Sequence, residues 1–120
     1  MGYCLEKNIL NIELKRKIGR KEMKECWERI NNDSYSPITL RIFEDASLAE
    51  FDFKITEIDQ ICRILEHQID GSREIRHAML RVNPLPTAYG IMRERTNNNP
   101  RYFPKVFSTR KMAMEWLLEK

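Results

Sequence analysis

Histidines and paired carboxylates are the residue types here that could do acid–base or metal chemistry. The two histidines, His67 and His77, stand at no metal-type or triad-type spacing from a cysteine, serine or carboxylate. His67 falls on the expected polar side of a helix, and His77 points away from Ala78 on an expected strand, so both read as surface residues. The acids Glu44 and Asp45 fall in an expected loop without a partner base. Glycosidase-type hydrolysis needs a second carboxylate at a controlled distance, which chain order does not supply. With only four glycines there is no phosphate-cradling loop. No motif asks for a metal or a cofactor, and the reading is that the chain is not an enzyme.

Recognition is the other chemistry available. Tyr89 and Arg93 are four residues apart, so on a helix they share a face. They follow an expected strand, and α/β sheets hold ligands beyond the carboxyl ends of their strands. A guanidinium there can fork onto a carboxylate or phosphate; the plainer reading has Tyr89 in the core and Arg93 in solvent. Phe51 and Phe53, with Tyr89, are expected to line a pocket between sheet and helices for a small apolar or anionic ligand. Thr56 stands at an expected helix start with Ser47 further back, and a phosphate at a helix N-terminus is electrostatically favoured. Capping alone, at about 1 kcal/mol, is also a sufficient reason for a threonine there.

Lys15, Arg16, Lys17, Arg20 and Lys21 form the densest basic cluster, but Glu22 and Glu25 are close by, and a solvated, edge-protecting face is the expectation. Tyr102 and Phe103 are adjacent on a strand, point to opposite faces and cannot form one base-stacking platform. Trp27 and Trp116 lie on helical stripes as core anchors.

The elements that position these residues follow from periodicity. Leu10, Ile12 and Leu14 alternate with polar residues as a strand over 9–18, preceded by a shorter strand over 3–6 across a tight turn. Met23, Cys26, Trp27 and Ile30 mark a helix over 20–30. A strand over 38–43 leads to an irregular loop over 44–54. The spacing of Ile58, Ile61, Cys62, Leu65 and Ile69 predicts a second helix, opened by a capping box at Thr56. Residues 75–82 are a strand, and 83–87 a loop because neither proline could donate to a ladder. A short helix follows over 88–95, which Thr87 can cap. The strand over 102–107 takes an edge position because of Pro104, and Ser108 or Thr109 caps a last helix with stripe Met112, Ala113, Trp116 and Leu117. Alternating strands and helices predict one α/β domain over 1–120, built on a mainly parallel or mixed sheet of four to five strands with about four helices.

Composition bounds the setting. An apolar fraction of 42% over 120 residues suits one folded core. The net charge of +3 sets 21 basic against 18 acidic side chains, interleaved along the chain, so no nucleic-acid partner is expected. The three cysteines are odd in number and lack metal-type spacing. Charges among the first twenty residues leave no apolar leader segment, and no run approaches the ~20 apolar residues of a membrane span, so a cytoplasmic location is expected. The partners expected are a protein of unknown identity or a small ligand, with the chain a monomer or a homodimer.

The closing third carries a resemblance. The segment 74–82, then Tyr89-Gly90-Ile91-Met92-Arg93, then Val106-Phe107-Ser108 and Ala113-Met114-Glu115-Trp116-Leu117 resemble the SpoIIAA-like (STAS-type) family: a strand, a Tyr/Phe-Gly-x-x-Arg segment and an aromatic-rich ending. The first helix after Gly19 and the strand at Ile38 fall where that family has them. The resemblance implies a parallel-rich sheet with helices on its faces, and regulation or binding rather than chemistry. The phosphorylatable Asp-Ser motif of anti-sigma-factor antagonists is missing, since Asp52 is followed by Phe53, Lys54 and Ile55.

Overall fold

In a computed structural model, residues 2–6, 9–32, 39–52, 54–57, 60, 63 and 74–119 are described. Five strands form one sheet in the order of the chain: β1 (Gly2–Glu6), β2 (Ile9–Ile18), β3 (Thr39–Phe51), β4 (Glu74–Leu80) and β5 (Tyr102–Phe107). β1 pairs antiparallel with β2; β2, β3, β4 and β5 are mutually parallel. The described helices are α1 (Arg20–Asn32), α2 (Pro84–Thr96) and α3 (Arg110–Leu117). Of the helix expected at 58–70 only Gln60 and Arg63 are among the described residues, both helical; the rest, with Cys62 and His67, lies outside them.

Strand alternation divides the interior into two layers. Leu10, Ile12, Leu14, Leu40, Ile42 and Ile75 pack with Met23 and Cys26 of α1 and Tyr89 of α2. Ile9, Phe43, Ala78 and Leu80, pointing the other way, pack with Ala113 and Leu117 of α3. Successive right-handed crossovers in one direction put α1 and α2 on the same face; α3, which follows the last strand, returns across the opposite one. The side chains of Trp27 and Ile30, expected on the α1 stripe, lie outside the described set.

Local chemistry sets the ends. Gly19 precedes α1, and its N–H donates to Glu22 Oε2 at 2.9 Å, one half of a capping box. Thr109 caps α3 by accepting from the Met112 N–H, as expected. Two expectations are corrected. First, 44–54 is not a loop: β3 runs on to Phe51, with a register shift where Asp45 Oδ1 accepts from the Ser47 N–H at 2.9 Å and its hydroxyl at 2.6 Å. An Asx-type turn thus absorbs the extra residue of a bulge and lets the strand resume. Second, 83–87 is not a loop and Thr87 is not a cap. The helix starts at Pro84 after Asn83, and Thr87 donates its hydroxyl to the Asn83 carbonyl at 2.7 Å. Prolines fit a first turn because N–H groups there have no intrahelical acceptor to lose.

β5 does take an edge, and that edge is closed. Ile75 donates to the Arg101 carbonyl and Arg81 to that of Phe107, so the odd carbonyls of β5 face β4 and its even positions face outward. Of these, the Tyr102 carbonyl accepts from Asn97 Nδ2 at 2.7 Å, Pro104 has no N–H, and the Val106 N–H donates to Glu94 at 3.3 Å. A strand added there would find every outward donor taken or missing.

Candidate functional site

The polar groups with chemical potential are inside. Glu44 on β3 continues the inward alternation of Leu40 and Ile42; His77 on β4 follows Ile75, and Arg81 lies just past the strand. Glu44 and His77 are each 1% exposed and Arg81 3%. Arg81 Nη2 meets Glu44 Oε2 at 2.5 Å, and His77 Nε2 lies 3.5 Å from the same oxygen. His77 Nδ1 is 2.6 Å from the Tyr102 hydroxyl. With the imidazole neutral, the network assigns the proton to Nε2, facing Glu44, while Nδ1 accepts from Tyr102. The expectation of a surface His77 and a partnerless Glu44 is overturned: parallel register sets Ile42 beside His77 and Glu44 two residues further on, and brings Tyr102 beside Ile75.

Both inner arginines lie over aromatic faces. The Arg81 guanidinium is 5.2 Å from the Phe51 ring centroid, and that of Arg93 is 5.2 Å from the Tyr102 ring. Burial alone would push the Glu44 carboxyl up, but Arg81 and His77 outweigh it and hold the group well below the usual carboxylate range. Burial pushes the His77 imidazole down further than Glu44 lifts it. This chain of groups is ionised at Glu44 and neutral at His77, packed between sheet and α2. Its geometry orients and neutralises charge within the fold.

The recognition residues read from the sequence are partly brought together. Phe51 and Tyr89 stack with centroids 5.9 Å apart and planes 9° from parallel, and both are buried. Arg93 is buried over Tyr102 rather than solvated, so the plainer reading of that residue is corrected. Phe53 lies outside the described residues. Of the hydroxyls considered for phosphorylation, Ser47 donates to Asp45, and Thr56 is exposed on a single 3-10 turn, Ile55–Glu57. That turn is closed by Glu57, whose carboxylate accepts from the Lys54 N–H at 3.0 Å; the Glu57 N–H bonds back to the Lys54 carbonyl. Asp59, the other half of the capping box expected at Thr56, lies outside the described residues.

Sequence reasoning missed a surface on the other side of the sheet. α3 buries Ala113 and Leu117 against the strands, yet also holds Met112 at 55% exposure and is followed by Leu118 at 60%; Phe103 on neighbouring β5 is 44% exposed. Arg41 donates to the Leu117 carbonyl at 2.7 Å and Arg76 to that of Glu119 at 2.7 Å, so two guanidiniums anchor the C-terminal end of α3. Beside that end, Glu74, Arg76, Phe103, Trp116 and Glu119 line a recess of about 160 Å³. It lies at the amino ends of β4 and β5, opposite to where ligands of α/β sheets usually sit. The available signal was a helix whose apolar residues exceed one stripe.

Comparison with known proteins returned no match to a family model, a curated protein or a solved structure. No described helix is long and apolar enough to cross a membrane. Among the described residues, no group of three or more histidine, cysteine or acidic side chains is placed to hold a metal ion.

Proposed function

We propose that the chain is a non-catalytic regulatory or protein-interaction domain of the STAS-like kind, acting in the cytoplasm. The observation that carries this reading is the exposure of three large apolar side chains on and next to α3, namely Met112, Leu118 and Phe103. A helix that packs one stripe on its own sheet needs no further large apolar residues in water, and a covering partner protein would supply a reason for them. The interior position of Glu44, His77 and Arg81 supports the same reading, because these buried groups hold one another. The strand–helix order and the helices on both faces of a parallel-rich sheet agree with what the STAS resemblance implies.

Photo-crosslinking tests it. A benzoylphenylalanine introduced at Met112 or Leu118, in the cells that make the protein, should trap one and the same species, competed by unlabelled protein. The same probe at exposed Lys17 should not trap it. No adduct at 112 or 118, or an identical pattern from 17, rules the reading out.

A further inference from the structure

The recess beside the end of α3 has a chemical preference of its own. One wall is the Phe103 ring, largely open to water; the other is Trp116, half-buried and packed at 5.5 Å against Phe107. Two carboxylates, Glu74 and Glu119, share the lining with one guanidinium. That guanidinium is already committed: Arg76 Nε lies 3.6 Å from Glu74, Nη1 donates to the Trp116 carbonyl at 3.4 Å and the Glu119 carbonyl at 2.7 Å, and Cζ lies over the Trp116 ring, 6.0 Å from its centroid. Glu119 forms no ion pair among the described residues. The next cation along this face of β5, Lys105, lies over the Phe107 ring, 5.7 Å from its centroid. The lining is therefore acidic by one charge, and the end of α3 adds partial negative charge from its last carbonyls.

Aromatic faces beside a carboxylate are the environment that favours an organic cation, through the ring quadrupole and the ion pair together. At about 160 Å³ the recess is smaller than the ~300–1,000 Å³ of cofactor and drug-sized sites, and suits the end of one long side chain. The outer part of the Phe103 ring gives the stem of such a side chain an apolar surface to lie on.

We infer that this recess receives a lysine or arginine side chain from an exposed segment of the protein partner. The inference rests on the interaction reading above and assigns the chemistry of one contact. The cation sits on the open Phe103 ring, beside the Trp116 ring that Arg76 already covers, with Glu119 as its counter-charge and Glu74 shared with Arg76. Met112 lies outside the lining, so it serves the apolar part of the interface rather than this contact.

The test is direct binding to the purified full chain, followed by the Trp116 indole N–H and the Phe103 and Glu119 amides in ¹⁵N NMR spectra. The probes are acetyl-Gly-Lys-Gly-amide, its arginine counterpart and its norleucine counterpart. The two cationic peptides should shift these signals saturably at millimolar concentration, and the norleucine peptide should not. Glu119→Gln and Phe103→Ala should each weaken the half-saturation by about threefold, with the remaining spectrum unchanged. Equal response to norleucine, no response, or indifference to both substitutions overturns the inference. Binding seen only after Lys120→Ala does so too, because the chain's own lysine would then be the occupant. Because the titration needs no cellular partner, its failure is separable from failure of the crosslinking experiment.

Discussion

The Glu44 carboxylate and the Arg81 guanidinium meet at 2.5 Å between the sheet and α2, both nearly sealed from water. Neither charge would be retained there alone, because the interior offers either one far less solvation than water does. Removing one member exposes this dependence. Arg81→Met should destabilise the fold by about 3–5 kcal/mol, since it strands a buried carboxylate. Adding Glu44→Gln to Arg81→Met should recover part of that loss, so that the double variant costs less than the two single variants added. Urea denaturation of the four proteins measures this; strict additivity would mean the two groups do not act as a pair.

His77 and Glu44 make stability fall as acid is added. The imidazole is held below its ordinary value in the folded chain, so below about pH 6.5 the unfolded chain binds a proton that the folded chain resists. The carboxyl is also held below its ordinary value, so its contribution is complete above its unfolded value near 4.5 and is lost as pH falls through the folded value. Both effects have the same sign. Midpoints of urea unfolding should drop between pH 7 and pH 5, and His77→Gln should flatten that upper part of the profile while leaving the decline below pH 4.5. An unchanged slope in His77→Gln would contradict the assignment.

Gly90 is required by close approach rather than by an unusual backbone angle, since no described glycine has positive φ. A Cβ at this position would stand 2.6 Å from Val106 Cγ2 and 3.6 Å from Arg81 Cγ. Gly90→Ala should therefore cost about 1–3 kcal/mol by forcing α2 away from β5. Val106→Ala in the same chain should restore part of the loss in thermal denaturation, whereas a Gly90→Ala protein as stable as the parent would show that α2 sits elsewhere.

Cys26 is a buried free thiol with its pKa pushed up to about 12, mainly by burial. It should resist iodoacetamide in the native protein at pH 8 and react once urea unfolds the chain. Peptide mapping distinguishes it from Cys4 and Cys62. Rapid native labelling at Cys26 would place α1 off the sheet.

Much of the fold was legible because simple alternation was unbroken. Leu10, Ile12 and Leu14 gave β2, Ala78 and Leu80 gave the α3-facing side of β4, and Pro104 gave the edge position of β5. Where a charge occupied an inward position, the pattern misled. Glu44 and Asp45 looked like the start of a loop, although Glu44 continues the face of Leu40 and Ile42 and Asp45 builds a bulge. Pro84 and Pro86 were weighed only as ladder breakers, when a helix's first turn accommodates both. The inner network could not be read at all from spacing, because Glu44, His77 and Tyr102 are distant in the chain and meet only through parallel register. A polar residue in phase with an apolar alternation is the trace such a network leaves. His77 behind Ile75 and Arg81 behind Met79 both show it. The exposed residues of α3 were harder to read: Met112 fits the helical stripe of Ala113, Trp116 and Leu117 by spacing, yet it is exposed, as is Leu118 after it.

Direct observation of the His77 ring by long-range ¹H–¹⁵N NMR decides whether these polar groups are interior structure or an open site. The expected result is a single neutral ring, protonated on Nε2, with shifts that do not move between pH 7.5 and pH 5.5. A ring that titrates near pH 6.5 with averaged nitrogen shifts would place His77 in water and remove the buried network on which the non-catalytic reading depends.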